Sequence, residues 1–134
     1  MAVVLDASAM IAFLRNELGA NVVESLLLDE GNPCMAHAIN LCEVYYDFLR
    51  SANEDTARTA IADLESIGLM IREDIDSEFW QAAGAYKASI ARVSLADCFA
   101  MALVQRIGAE LVTSDHHEFD PIAQAGVCSV RFIR

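Results

Sequence analysis

The stretch that decides the fold is Ala2–Leu14, with the sequence AVVLDASAMIAFL. Its first part is a short apolar run, which predicts a buried strand over residues 2–6. The run ends at Asp6, and a helical pattern with one wide apolar face follows at once, from about Ala7 to Arg15. Ligands of open α/β sheets bind beyond the carboxyl ends of the strands. Asp6 is therefore predicted to anchor a site at that edge of a sheet.

Apolar runs and amphipathic segments alternate along the rest of the chain. The further predicted strands cover residues 34–36, 69–71, 110–114 and 127–133. The further predicted helices cover about 20–30, 38–52, a segment from a cap at Asn53 to Gly68, a segment capped by Asp76, 95–107 after a cap at Ser94, and 118–125. This alternation predicts one α/β domain over residues 1–134, a three-layer α/β/α sandwich around a mainly parallel five-stranded sheet.

Length and composition limit the classes of protein to which the chain can belong. The chain has 134 residues and a 55% hydrophobic share, which suits a chain with a real core. No stretch approaches the roughly 20 apolar residues that cross a bilayer, and no basic segment precedes the first apolar run. We therefore expect a cytoplasmic protein with no membrane contact. Its four cysteines form no C-x-x-C pair, which favours buried free thiols over a zinc site.

Charge narrows the possible partners. The formal net charge is −11, which argues against a broad basic surface that binds nucleic acid non-specifically. A nuclease stays possible, because bound divalent cations reverse the sign of a carboxylate pocket. The acidity also suits a basic protein partner.

Four carboxylates from distant segments are predicted to meet at one edge of the sheet. Asp6 ends the first strand and Asp115 follows the fourth. Glu43 lies within the first two turns of the helix after the second strand. Asp97 opens a helix that runs antiparallel to the fourth strand, so right-handed crossovers bring it to the same edge.

The surroundings of these acids favour a metal site. Glu43 is the only charge in residues 39–46, and Asp97 is the only charge in residues 93–104. Carboxylates among apolar residues are costly unless they are paired, hydrogen-bonded or metal-bound. Oxygen ligands without a matched Cys/His set favour Mg²⁺ or Mn²⁺, which can activate water and stabilise charge on a phosphodiester.

A structural interpretation exists for each acid taken alone. Ser94-x-x-Asp97 matches a capping box and Asn40-x-x-Glu43 resembles one. Asp6 can cap the first helix, and Asp115 can hold a turn. The two interpretations are compatible, because a helix amino terminus favours a carboxylate whether or not that carboxylate binds metal.

The ordered motifs resemble those of a known family. They are Val4–Ala9 (VLDASA), Glu43 within a helix, Ser94–Asp97 (SLAD) opening another helix, and Leu111–Asp115 (LVTSD) followed by Phe119. This order resembles the PIN-domain ribonucleases across the whole chain. The compact length is most similar to the VapC toxins of type II toxin–antitoxin pairs.

The resemblance implies a function and a set of site residues. Asp6, Glu43, Asp97 and Asp115 would bind metal, with the hydroxyls of Ser8 and Thr113 nearby. The implied activity is Mg²⁺- or Mn²⁺-dependent endoribonuclease cleavage of RNA, and the implied partners are a small antitoxin and a second copy of the chain in a homodimer. The stretch DHHEFD over residues 115–120 departs from the family pattern, so Glu118 and Asp120 are alternatives to Asp115.

Other functions and residues stay open at this point. An aspartate-based phosphoryl-transfer domain would use Asp6 as nucleophile, although the only lysine is Lys87. A catalytically inactive PIN-fold interaction module is a further alternative. Arg15 and Arg92 lie near the predicted ends of site-facing elements, and they can touch phosphate or simply be surface arginines. His116 and His117 fit a polar turn outside the site better than zinc ligands.

Overall fold

The computed structural model describes residues 1–134, in which five strands alternate with helices. The strands are Val3–Leu5 (β1), Cys34–His37 (β2), Met70–Arg72 (β3), Glu110–Thr113 (β4) and Val130–Phe132 (β5). The helices are Ala7–Leu14 (α1), Ala20–Leu28 (α2), Ala38–Ser51 (α3), Glu54–Ile67 (α4), Ser77–Ser89 (α5), Leu95–Ile107 (α6) and His116–Gln124 (α7). Every predicted element is present, and α7 begins two residues before its predicted start.

The five strands form one sheet in the order β3-β2-β1-β4-β5. All four neighbouring pairs are parallel, so the predicted parallel α/β architecture is confirmed. β1 lies at the centre, with Leu5 opposite Val112 of β4. The backbone N–H of Asp6 continues this ladder by donating to the Val112 carbonyl at 3.1 Å. The carboxyl ends of β1 and β4 therefore lie side by side.

Two apolar cores lie on the two faces of the sheet. Val3 and Leu5 of β1 pack into a cluster with residues of α1, α2, α3 and α4. Val4 points to the other face and packs with residues of α5, α6 and α7. The alternation follows from the two-residue period of a strand that is buried on both sides. It produces the three layers that the sequence predicts.

Helix caps explain where several site-bearing helices begin. The side chains of Asn53, Asp76 and Ser94 cap α4, α5 and α6, as predicted. The predicted capping box at Asn40 is wrong, because β2 runs directly into α3 and His37 is the cap. The His37 Nδ1 accepts from the Ile39 N–H at 3.0 Å. Glu43 therefore lies in the second turn of α3.

Two further expectations concern membranes and cysteines. None of the helices is both long enough and apolar enough for a membrane crossing. All four cysteines are free, and Cys34 and Cys98 are buried. Cys42 is exposed, which corrects the expectation that every thiol is buried, because its position on α3 faces away from both cores.

An arginine–aspartate cluster follows β3. Asp74 accepts hydrogen bonds from Arg72 at 2.9 Å and from Arg106 of α6 at 3.0 Å. Arg106 also binds Asp76, the cap of α5. The Arg72 guanidinium, aided by Arg106, holds the pKa of Asp74 at about 2. The backbone carbonyl of Asp74 accepts from the His37 Nε2–H, so the cluster joins β2, β3, α5 and α6.

We expect Asp74→Asn to lower the free energy of unfolding by about 1–2 kcal/mol at pH 7, because a largely buried carboxylate loses its two charged partners. A depressed pKa stabilises the fold above the unfolded pKa of about 4, and that stabilisation disappears as pH falls towards 2. Urea unfolding at pH 7, 4 and 3 tests this, with exposed Asp63→Asn as control. A deficit that stays constant over this pH range would contradict the assignment.

Candidate metal centre

Asp6 is held rigidly at the end of β1. Its side chain is 2% exposed, and its Oδ1 accepts from the Ser8 hydroxyl at 2.7 Å and the Ala9 N–H at 2.9 Å. Its Oδ2 accepts from the Thr113 hydroxyl at 2.5 Å. Burial raises the pKa of Asp6 to about 6, although these hydrogen bonds oppose the shift. The carboxylate thus has a fixed orientation.

The hydroxyls of Ser8 and Thr113 connect Asp6 to the turn after β4. Each donates its proton to Asp6 and accepts a backbone N–H with its oxygen. Ser8 accepts from Ser114 and Thr113 accepts from Asp115, both at 3.0 Å. The two hydroxyl oxygens are 3.2 Å apart. This bridge fixes the position of Asp115 relative to Asp6.

Three other carboxylates form a tight cluster beside this bridge. One oxygen from each of Asp97, Asp115 and Glu118 lies within 4.8 Å of the others. Ser94 accepts the Asp97 N–H at 3.2 Å, and Asp115 accepts the Glu118 N–H at 3.0 Å. The amino termini of α6 and α7 thereby present these acids to one another. Oxygens that bind one Mg²⁺ at about 2.0–2.1 Å lie at most about 4.2 Å apart, so these acids could share one cation after a small side-chain movement.

Electrostatics connect Glu43 and Asp6 to this cluster. Burial, then a hydrogen bond to Glu118 and the charge of Asp6, raise the pKa of Asp97 far above its ordinary range. Burial, followed by the charges of Asp6 and Glu118, raises the pKa of Glu43. Mutual repulsion of buried acids disfavours their charged forms. A divalent cation among them would restore those forms.

Three buried oxygens near these acids have no hydrogen-bond partner: Asn40 Oδ1, Glu43 Oε1 and Glu118 Oε2. A buried acceptor without a partner costs about 1–3 kcal/mol. A cation with its bound waters would satisfy such atoms, and every available donor is a hard oxygen, which suits Mg²⁺ or Mn²⁺. The residues present therefore fit a divalent-metal site.

The predicted acids do not all lie in the tight cluster. It contains Asp97 and Asp115, whereas Asp6 and Glu43 border it. Glu118, which the sequence offered as an alternative to Asp115, belongs to the cluster together with Asp115. It does so because α7 begins early enough to include Glu118 in its first turn. Asp120 points elsewhere, where its Oδ1 bonds the Nδ1 of His116 at 2.8 Å.

Asn40 borders the candidate site, a position that sequence reasoning missed. It is fully buried, and its Nδ2 donates to the Ala96 carbonyl of α6 at 3.3 Å. Because the Ala96 carbonyl can only accept, the amide nitrogen of Asn40 faces it and the amide oxygen points away from it. Asn40 and Glu43 are three residues apart and share a face of α3. This spacing could have placed Asn40 beside Glu43, but we interpreted the same two residues as a capping box.

The histidines and the nucleophile alternative are resolved by hydrogen bonding. His116 and His117 begin α7, so the predicted polar turn is wrong. The His116 ring bonds Asp120 and the Arg134 carbonyl and stacks on Phe132 at 3.9 Å, which occupies both of its nitrogens outside the acid cluster. Asp6 is 2% exposed with both oxygens occupied. This geometry disfavours Asp6 as the nucleophile of a phosphoryl-transfer domain.

We expect Thr113→Val to weaken Mn²⁺ binding about 10–100-fold, as is usual for groups that orient metal ligands. The variant removes the hydroxyl that orients Asp6 and Asp115 and keeps the side-chain shape. Thr113→Ser retains the hydroxyl and should keep most of the affinity. Calorimetric titration of Mn²⁺ into the purified variants measures this, and equal affinities for Thr113→Val and wild type would exclude the role.

Comparison with known proteins places the chain in a family. A family model described as the PIN domain matches residues 3–124. The chain belongs to the PIN domain family, as the order of its motifs predicts. No curated protein sequence matches it significantly.

Solved structures share the fold over the whole chain. A chain of VapBC2 from Rickettsia felis, bound to a promoter DNA fragment, is 18% identical with a TM-score of 0.76, and the match covers 98% of both chains. A toxin–antitoxin complex from Klebsiella pneumoniae is 19% identical with a TM-score of 0.70 and the same coverage. Mycobacterium tuberculosis VapC20, a sarcin–ricin loop cleaving toxin, is 16% identical with a TM-score of 0.72, covering 92% of this chain and 95% of VapC20. At these identities the likeness concerns the fold.

Proposed function

We propose that the chain is a metal-dependent endoribonuclease that hydrolyses RNA phosphodiester bonds. Asp97, Asp115 and Glu118 hold Mg²⁺ or Mn²⁺ together with Asp6 and Glu43. The single observation that carries the proposal is the cluster of three carboxylates at the carboxyl edge of a PIN-family sheet. The unpartnered Glu43 and Glu118 oxygens beside it also support a bound cation.

The chain's own residues would prepare the site for hydrolysis. When bound, the cation supplies an activated water and stabilises charge on the phosphodiester. Ser8 and Thr113 keep Asp6 in one orientation. The raised pKa of Asp97 means that this group releases a proton when a cation occupies the site. Ser94 caps α6 and Asp115 caps α7, and these caps fix the helix starts that carry Asp97 and Glu118.

Cleavage of RNA by the purified chain tests the proposal. We expect cleavage with Mg²⁺ or Mn²⁺, loss of cleavage with EDTA, and recovery when the metal is restored. The double variant Asp6→Asn/Asp97→Asn, purified identically, controls for contaminating nucleases. Cleavage that survives EDTA, or that the double variant retains, would refute the proposal. A folded chain that binds no Mn²⁺ would instead support the inactive interaction module.

We also propose that the chain is the toxin of a toxin–antitoxin pair. The fold shared with a toxin–antitoxin complex and with a VapC toxin supports this. The net charge of −11 suits an antitoxin with a basic segment. Induced expression of the wild type should arrest growth, whereas Asp97→Asn should not. Co-expression of a small protein encoded upstream should restore growth and co-purify with the chain.

We propose that residues 1–134 act as one cytoplasmic domain and form a homodimer. Exposed aromatic side chains such as Trp80, at 49% exposure, and Tyr46, at 46%, could contribute to such an interface. Analytical ultracentrifugation of the free chain should give twice the mass of 14.6 kDa. A monomer at micromolar concentration would refute the dimer and leave the nuclease proposal intact.

A further inference from the structure

The cations of this chain are few and mostly neutralised. Nine lysines and arginines face twenty acids. Six of the nine form ion pairs with carboxylates: Arg15, Arg58, Arg72, Arg106, Arg131 and Arg134. The other three form no ion pair: Arg50, Lys87 and Arg92. In so acidic a protein, an unpaired cation is available to an anionic ligand.

Arg92 lies on the segment that leads into the candidate metal centre, and Lys87 lies in the last turn of α5, just before that segment. Arg92 is exposed and follows α5 by three residues, just before Ser94 caps α6. Its Nη2 donates to the His117 carbonyl at 2.8 Å. His117 immediately precedes Glu118, so Arg92 lies between the helix starts that carry Asp97 and Glu118. The guanidinium has five N–H donors and uses one of them here.

Lys87 holds this segment in place. Its Nζ donates to the carbonyls of Ala91 and Val93, each at 2.7 Å. The two carbonyls flank Arg92, so Lys87 fixes the backbone on both sides of it. Val93 is fully buried, which anchors the segment against α6. Arg92 is therefore presented from a well-supported backbone.

We propose that Arg92 binds a backbone phosphate of the RNA beside the cleaved bond. The inference rests on the proposed ribonuclease function. Arginine matches phosphate oxygens with parallel N–H donors. The Arg92 guanidinium is exposed, forms no ion pair and lies at the helix starts that carry Asp97 and Glu118. It therefore offers the RNA a positive charge in addition to that of the metal.

The test is the salt dependence of RNA binding. Fluorescence anisotropy of a labelled single-stranded RNA is measured in the non-cleaving Asp97→Asn background from 50 to 300 mM NaCl. Arg92→Gln keeps a donor for the His117 carbonyl and removes the charge. We expect it to weaken binding about fivefold and to lower the slope of log K against log salt by about 0.7, the value for one phosphate contact with a single strand. Arg92→Lys should restore the slope.

Arg50→Ala is the matched control. Arg50 is also unpaired, but it lies in the last turn of α3 over the Tyr46 ring. We expect it to leave the slope unchanged. In the active chain, Arg92→Gln should raise KM several-fold more than it lowers kcat, with Mn²⁺ affinity as in wild type.

Three results would overturn the inference. An unchanged slope in Arg92→Gln, with cleavage by wild type intact, refutes phosphate binding and leaves the ribonuclease proposal standing. If Arg92→Gln lowers Mn²⁺ affinity and leaves the slope unchanged, phosphate binding is refuted. The role of Arg92 is then to hold the starts of α6 and α7 together through its bond to His117. Absence of both RNA binding and cleavage in the wild type refutes the inference and the ribonuclease proposal together.

Discussion

Asp97→Asn is expected to lower the rate of RNA cleavage by at least about 1,000-fold, because the site loses a charged ligand of the cation that activates water. The same variant is expected to raise the free energy of unfolding of the metal-free chain by about 1–2 kcal/mol. Asp97 is half-buried beside Glu118 and near Asp6. Burial, followed by the neighbouring acids, disfavours the charged form of Asp97 and so destabilises the metal-free fold. An amide of the same shape carries no charge and removes this cost.

These opposite effects separate a functional site from a structural one. If Asp97 had only a structural role, Asp97→Asn would lower the free energy of unfolding of the chain. The variant would then still cleave RNA, at a rate proportional to its folded fraction. Cleavage assays in Mn²⁺ and thermal unfolding in EDTA measure the two quantities on the same preparations. Asp63→Asn, an exposed acid on α4, serves as the matched control and should change neither. A less stable Asp97→Asn chain that still cleaves RNA would contradict this account.

Glu118→Gln and Asp120→Asn are expected to differ sharply. Glu118 belongs to the acid cluster and has a buried oxygen without a partner, so Glu118→Gln should weaken Mn²⁺ binding about 10–100-fold. Asp120 is 47% exposed and pairs with His116. Asp120→Asn should change Mn²⁺ affinity by less than about twofold, because exposed pairs contribute little.

The metal concentration that gives half-maximal cleavage measures both variants. A shift in Asp120→Asn together with none in Glu118→Gln would reverse the assignment. Equal shifts in both would mean that the whole first part of α7 matters through its position. The pair thus decides between two acids that are two residues apart in the sequence.

Much of the fold could be predicted because local patterns agree with the tertiary structure. The apolar run before Asp6 is buried on both faces of the sheet, as a central parallel strand requires. Ser94 caps α6 with its hydroxyl, and Asp97 is three residues further along the chain. The short motif Ser94-x-x-Asp97 is therefore enough to predict that Asp97 lies in the first turn of the helix. Such signals depend on neighbouring residues alone.

The features of the site that could not be predicted depend on how neighbouring elements join and on contacts between residues far apart in the sequence. β2 passes into α3 without a turn, so His37 caps the helix and the Asn40 side chain faces α6. Asp115 caps α7, which brings Glu118 back to the cluster. The hydrogen bond of Arg92 to His117 joins residues 25 positions apart. No local rule connects these pairs.

The most direct test is a calorimetric titration of Mn²⁺ into the metal-free chain and its Asp97→Asn variant. We predict saturable binding to the wild type, with protons released as the cation displaces them from buried carboxylates. We predict that this binding is lost in Asp97→Asn although the variant stays folded. Identical binding curves for the two chains, or no binding to the wild type, would contradict a metal centre at this acid cluster.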